Sequence, residues 1–189
     1  MGAMNKYTLP KSTTINGIVC EFNSDYRDIL YIFSILNDPN LLEVERLKCA
    51  LDNFYKTDDY ESDIEEAIKK MYDFILMGEF NSANTPNNKP LFDWEQDFNL
   101  IIAPINRIVG KDVRGLEYYH WWTFLSAFYE IGESTFNTFV SIRDKLNRNK
   151  KLEKYEERIY KENKNRIVLN KKVDDTTQEL MNEILGKGG

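Results

Sequence analysis

The chain has 189 residues, long enough for one domain with a real core and too short for two of ordinary size. Hydrophobic residues make up 42% and aromatics 13%, which excludes wholesale disorder, and no apolar run approaches the roughly 20 residues that cross a bilayer. The net charge of −6 hides an asymmetry: Arg143 to Lys172 holds 12 Lys and Arg against 5 Asp and Glu, while the remainder holds 13 against 26, so an acidic body carries a basic arm.

Met1-Gly-Ala-Met4 reads as a vector scar ahead of a native start at Met4, with no charged-apolar-small signal pattern. Cys20 and Cys49 lie far apart with no second pair and no nearby histidine, so neither zinc nor a disulfide framework is indicated and a reducing cytoplasm fits. The first structured element is Ser12 to Phe22, where β-branched runs flank Asn16-Gly17, the dipeptide suited to a two-residue turn with positive φ. A β-hairpin is expected, lying on the helices or adding its edge to a neighbouring subunit.

From Asn23 the period becomes helical. Tyr26, Ile29, Leu30, Phe33 and Leu36 mark a first helix, with Asn23-Ser24-Asp25 as caps and a stop at Asn37-Asp-Pro39. Leu41, Val44, Leu47, Leu51, Phe54 and Tyr55 mark a second. Asp58-Asp-Tyr-Glu-Ser-Asp63 interrupts; its acids lack the spacing of a calcium loop and read as a solvated break with helix caps. Ser62 and Glu65 have capping-box spacing before a third helix with Ile64, Ala67, Ile68, Met71 and Ile75, ending near Gly78.

Asn81 to Pro90, with two prolines and four asparagines, is an exposed loop. Asp93 and Gln96 form another capping-box pair ahead of a fourth helix with Trp94, Phe98, Ile101, Ile105 and Ile108, kinked at Pro104 and stopped at Gly110. Lys111 to Gly115 links it to a helix over Leu116–Ile131. There Tyr118, Trp121, Trp122, Leu125 and Phe128 share one apolar face and form the expected structural core, leaving His120, Thr123, Ala127 and Glu130 on a polar stripe. The Trp121-Trp122 pair has the composition of a partner hot spot, but mid-helix placement favours packing. His120 reads as a hydrogen-bonded structural residue rather than a ligand.

Ser134 or Thr135 caps a sixth helix with Phe136, Phe139, Val140 and Ile142. Beyond it, Leu146, Leu152, Tyr155 and Ile159 form a thin stripe among alternating charges, which suits a projecting helix or a partner seam. Acids interrupt the Lys/Arg field, so i,i+4 pairing is favoured over phosphate contact and a nucleic-acid-binding regulator is only an alternative. Thr176 and Glu179 cap a short amphipathic segment with Leu180, Met181, Ile184 and Leu185.

The expected fold is mainly α: a compact bundle of about six helices with an N-terminal β-hairpin and a C-terminal charged helical arm. Residues 5–142 form the body, 143–172 the basic arm, and 173–189 a flexible tail. Candidate partner-binding residues are Leu152, Tyr155, Ile159, Leu180, Met181, Ile184 and Leu185. No Gly-rich phosphate loop or nucleophile-base set is found, so no catalytic, cofactor or metal residues are assigned.

Tyr119-His-Trp-Trp-Thr-Phe-Leu-Ser-Ala-Phe128, followed by Thr135-Phe-x-x-Phe-Val-Ser-Ile-Arg143, resembles the bacteriophage gene-product-fifteen family. The Asn16-Gly17 hairpin, Asn23-Ser-Asp-Tyr-Arg27, Phe92-Asp-Trp-Glu-Gln-Asp97 and Gly110-Lys-Asp-Val113 agree in order, and the likeness covers roughly residues 7 to 170. The chain departs from the family pattern at Asp144-Lys-Leu-Asn-Arg-Asn149 and in its C-terminal extension. The resemblance implies a non-catalytic protein encoded between the major tail and tape-measure proteins, acting in the host cytoplasm as a tail assembly chaperone. Its implied partners are the tape-measure protein and either further copies of itself or a second tail chaperone. A structural subunit of the tail or tail tip is the alternative it leaves.

Overall fold

The computed structural model describes residues 7–77 and 89–170. Residues 81–88 of the expected Asn81–Pro90 loop and the amphipathic segment over 176–185 lie outside the described residues. The described chain is mainly helical with one two-stranded hairpin at its N-terminal end, as the periodicity predicts. It divides into two units: Met1–Thr85 with Glu117–Leu125, and Pro86–Leu116 with Ser126–Gly189.

The first unit opens with β1 (Ser12–Ile15) and β2 (Ile18–Glu21), paired antiparallel with Thr13 opposite Cys20. Asn16 and Gly17 have φ of 46° and 81°, the two positive values a tight primed turn requires, so the dipeptide fixes the register. Ile15 and Cys20 are fully buried on the inner face, and the Asn16 N–H donates to Glu66 at 2.9 Å. The hairpin therefore lies on the helices.

α1 (Tyr26–Leu36) and α2 (Glu43–Phe54) follow. Asp25 caps α1 by accepting from the Arg27 N–H. Val44, placed by its spacing on the apolar side of α2, is exposed in the first turn. The acidic break is a 3-10 helix, Asp58–Ser62, and Asp63 rather than Ser62 caps α3 (Ile64–Ile75) by accepting from the Glu66 N–H. A Ser62 cap fails because the 3-10 turn already uses that residue. Phe22 stacks on Phe54 at 4.8 Å and meets Phe74 at 4.6 Å, tying the hairpin to α2 and α3.

In the second unit α4 (Trp94–Val109) continues through Pro104 and ends on Gly110 in the left-handed conformation at φ 78°. A 3-10 turn, Val113–Gly115, precedes α5 (Trp121–Tyr129), which starts five residues later than its periodicity predicts. α5 gives Trp121–Leu125 to the first unit and its remaining residues to the second. α6 (Thr135–Asn147), capped by Ser134, runs straight through the expected 142/143 boundary, and α7 (Lys154–Ile167) packs against it. Ile167 joins Phe139 and Ile142 in one buried cluster, so α7, the described helix of the charged arm, packs back on α6.

Candidate functional site

The described residues concentrate their buried polar chemistry in two centres, one in each unit. In the first, residues 118–120 are extended and run beside the start of α1: the Tyr26 N–H donates to Tyr119 O at 3.0 Å and the Trp121 N–H to Ser24 O at 2.8 Å. The Asp25 carboxylate takes the Tyr119 N–H at 2.8 Å and the Arg27 guanidinium at 2.7 and 2.9 Å. Burial pushes the Asp25 carboxyl up, but the Arg27 guanidinium and the two amides outweigh it and hold it below the usual carboxylate range.

His120 sits on this strap rather than on a helical stripe, and it is buried. One ring nitrogen, Nδ1, lies 3.0 Å from the Trp122 N–H, and Nε2 lies 2.9 Å from Pro10 O. An amide can only donate and a carbonyl only accept, so the ring must be the neutral tautomer with its proton on Nε2. Burial, reinforced by the Lys11 charge, lowers its pKa against the opposing pull of the Pro10 carbonyl and Asp25. His120 is thus a structural cross-link between the N-terminal segment and α5.

Trp121 and Trp122 follow it into the core, where their indole N–H groups donate to Ile75 O at 2.9 Å and Phe74 O at 2.7 Å. These carbonyls close α3, so the tryptophans act as C-terminal caps as well as packing. Leu125 and Phe128 are buried too. Tyr118 is not: it is 43% exposed, under Lys11 at 4.6 Å and within 2.8 Å of Ser24 Oγ, because the helix has not yet begun there.

The second centre is Arg143. Its guanidinium donates to both Asp97 oxygens at 2.6 and 3.0 Å, to Leu91 O at 3.0 Å, to Arg166 O at 2.8 Å and, through Nε, to Ile167 O at 2.6 Å. Every N–H of the fork has an acceptor. Asp97 in turn accepts from the Asp93 N–H at 3.1 Å, the position a capping-box Gln96 would fill. Gln96 instead reaches residues 166–170: its amide donates to Arg166 O and Val168 O at 3.1 and 2.9 Å and accepts from the Asn170 N–H at 3.1 Å.

Spacing marks Gln96 only as a capping-box partner of Asp93, and Asp97 and Arg143 stand out only within the segments that carry the family resemblance. The other arm cations are partly committed as well. Lys145 pairs with the buried Glu156 at 2.7 Å and holds its carboxyl below the usual range, Arg148 pairs with Asp144, and Arg166 lies over the Phe139 ring. Of the candidate partner-binding residues, Leu152 and Ile159 pack against the Phe139–Ile142–Ile167 cluster, Tyr155 is exposed, and Leu180, Met181, Ile184 and Leu185 lie outside the described residues.

Chemically, both centres hold chain segments together through fully partnered groups. Among the described residues no group of three His, Cys, Asp or Glu is placed to hold a metal ion, and no helix is long and apolar enough to cross a membrane. The charge separates by unit: the first has 16 acidic and 8 basic residues, the second 15 and 17.

Residues 6–169 match the family described as Bacteriophage Gp15 protein. No curated protein and no solved structure matches the chain.

Proposed function

Because the chain belongs to the bacteriophage Gp15 family, we propose that it is a non-enzymatic tail assembly chaperone that binds the tape-measure protein and keeps it soluble during tail morphogenesis. The family match over residues 6–169 carries this reading, since the resemblance implies a gene beside that of the tape measure. The polar centres support it: His120, Asp25, Arg143 and Asp97 are occupied by internal partners, an arrangement suited to a rigid binding body.

The first unit supplies a surface of suitable chemistry. Leu42 and Val44 are 72% and 78% exposed beside Glu43 and Glu45, in a unit with a net charge of −8. Exposed aliphatics set among carboxylates suit a helical client carrying apolar and cationic side chains. Co-expression tests the reading: tape-measure fragments become soluble and co-purify with the chain, whereas insoluble fragments and no complex would refute it. Mass spectrometry of purified particles separates it from the structural-subunit alternative, because a chaperone leaves and a subunit remains at stoichiometric level.

A further inference from the structure

We infer that the outer face of α7 binds single-stranded nucleic acid, with Lys154, Arg158 and Lys161 on the phosphate backbone and Tyr155 stacked on a base. In the sequence, acids interrupt the cations of this arm; folding separates the two. In a helix of about 3.6 residues per turn, Lys154, Arg158 and Lys161 fall in one row about 10 Å long, which ends before the backbone leaves the helical region at Asn163. All three are exposed, and none has a hydrogen bond or ion pair to another described residue.

The acids are turned away from this row. Glu156 is buried on the opposite side of α7, where it accepts from Lys145 Nζ at 2.7 and 2.8 Å and from the Glu153 N–H at 2.7 Å. Glu157 and Glu162 fall on opposite flanks of the row, and Glu153 precedes the helix as its N-cap. Lys150 and Lys151, both exposed in the link before α7, lengthen the cationic field at its N-terminal end. The i,i+4 pairing expected from the sequence is therefore absent from Lys154, Arg158 and Lys161.

The composition of the face selects its occupant. A protein interface needs an apolar centre, and Leu152 and Ile159, the aliphatic side chains between Lys151 and Lys161, are packed inward on the Phe139–Ile142–Ile167 cluster. What remains outside is the row of cations and Tyr155, 56% exposed, next to Lys154 and one turn from Arg158. A row of cations is complementary to successive phosphates, and an exposed ring stacks on a base of any identity. A duplex would offer Tyr155 no free base face, so the complementary ligand is a single strand bound with little sequence preference. The face lies wholly in the second unit, and the inference does not rest on client binding.

The test titrates the full chain into a fluorescein-labelled oligothymidylate and, separately, into a labelled duplex of the same length, with anisotropy as the readout. The single strand binds at about 50 mM salt and loses about twentyfold in affinity by about 200 mM, the slope expected of three phosphate contacts. Lys154→Gln, Arg158→Gln and Lys161→Gln combined remove most of that slope. Tyr155→Ala leaves the slope unchanged and weakens binding about tenfold, the loss of one stacked base. An unchanged circular dichroism spectrum is the control for folding in each variant. No binding at about 50 mM salt overturns the inference, as does binding indifferent to the triple substitution. So does a duplex bound as tightly with no effect of Tyr155→Ala, or displacement of the oligothymidylate by polyaspartate of equal charge as readily as by unlabelled strand.

Discussion

Arg143 and Asp97 meet at 2.6 Å with side chains only 5% and 1% exposed, and the pair joins α4 to α6 while the rest of the guanidinium holds the carbonyls of Leu91, Arg166 and Ile167. A buried ion pair is expensive to desolvate and stabilises only where every remaining donor and acceptor is satisfied. Here the fork satisfies both conditions. Arg143→Ala leaves the buried Asp97 carboxylate without its cation and the carbonyls of Leu91 and Ile167 without a donor, and is expected to cost about 3 to 5 kcal/mol in urea denaturation. Neutralising the partner with Asp97→Asn in the same chain should recover only part of that loss, because the Leu91 and Ile167 carbonyls remain unpaired. Full recovery would show that the ion pair alone carries the effect.

The neutral His120 ring makes the first unit sensitive to acid. Its folded pKa is lowered, so the unfolded chain binds the proton more readily. The stabilisation is therefore complete above the unfolded value of about 6.5 and is lost as pH falls from there through the folded pKa. The urea midpoint should decline over that window in the wild type and decline less in His120→Gln. Asp25, also lowered when folded, acts in the same sense but further down, below the ordinary carboxylate range of about 4. An identical slope in both proteins between neutral pH and pH 5 would exclude the tautomer assignment.

Adjacent aromatics in one motif are expected to differ sharply. Trp122 is buried and its indole caps α3 through Phe74 O, so Trp122→Ala should cost about 3 to 5 kcal/mol. Tyr118 has one part-buried hydroxyl contact, to Ser24, and an exposed cation above its ring, and Tyr118→Ala should cost about 1 kcal/mol. Parallel thermal or urea unfolding measures both. Equal losses would place Tyr118 in the core, where helical periodicity puts it.

That contrast shows what periodicity can and cannot read. Trp121, Trp122, Leu125 and Phe128 were legible because large apolar side chains at helical spacing have few other places to go. The helix start was not, because His120 ends an extended strap whose partners, Asp25 and Pro10, are distant in sequence. The Asn16-Gly17 turn was legible since its constraint is local. Arg143 and Asp97 escaped for the opposite reason: composition marked Arg143 as the first residue of a solvated basic arm, and only tertiary contact makes it a core residue. The residues carrying the family resemblance, Asn23–Arg27 with His120–Trp122 and Phe92–Asp97 with Arg143, turn out to be those that build the two buried polar centres.

Gln96 allows the capping-box reading and the observed clamp to be separated in one substitution. A capping box works as well with glutamate, and a carboxylate in the first turn of α4 would gain from the helix dipole, so that reading makes Gln96→Glu neutral or stabilising. In the structure the Asp93 N–H is already taken by Asp97, and the Gln96 amide nitrogen donates to Arg166 O and Val168 O. Gln96→Glu sets a carboxylate oxygen against two carbonyls while keeping only the acceptor for the Asn170 N–H. Amide exchange at Asn170 should therefore quicken by about tenfold, the equivalent of about 1.4 kcal/mol of local opening, with little change in the global midpoint. Unchanged or slower exchange in Gln96→Glu would mean that the side chain caps α4 in solution and that residues 168–170 are held by Arg143 and the Ile167 cluster alone.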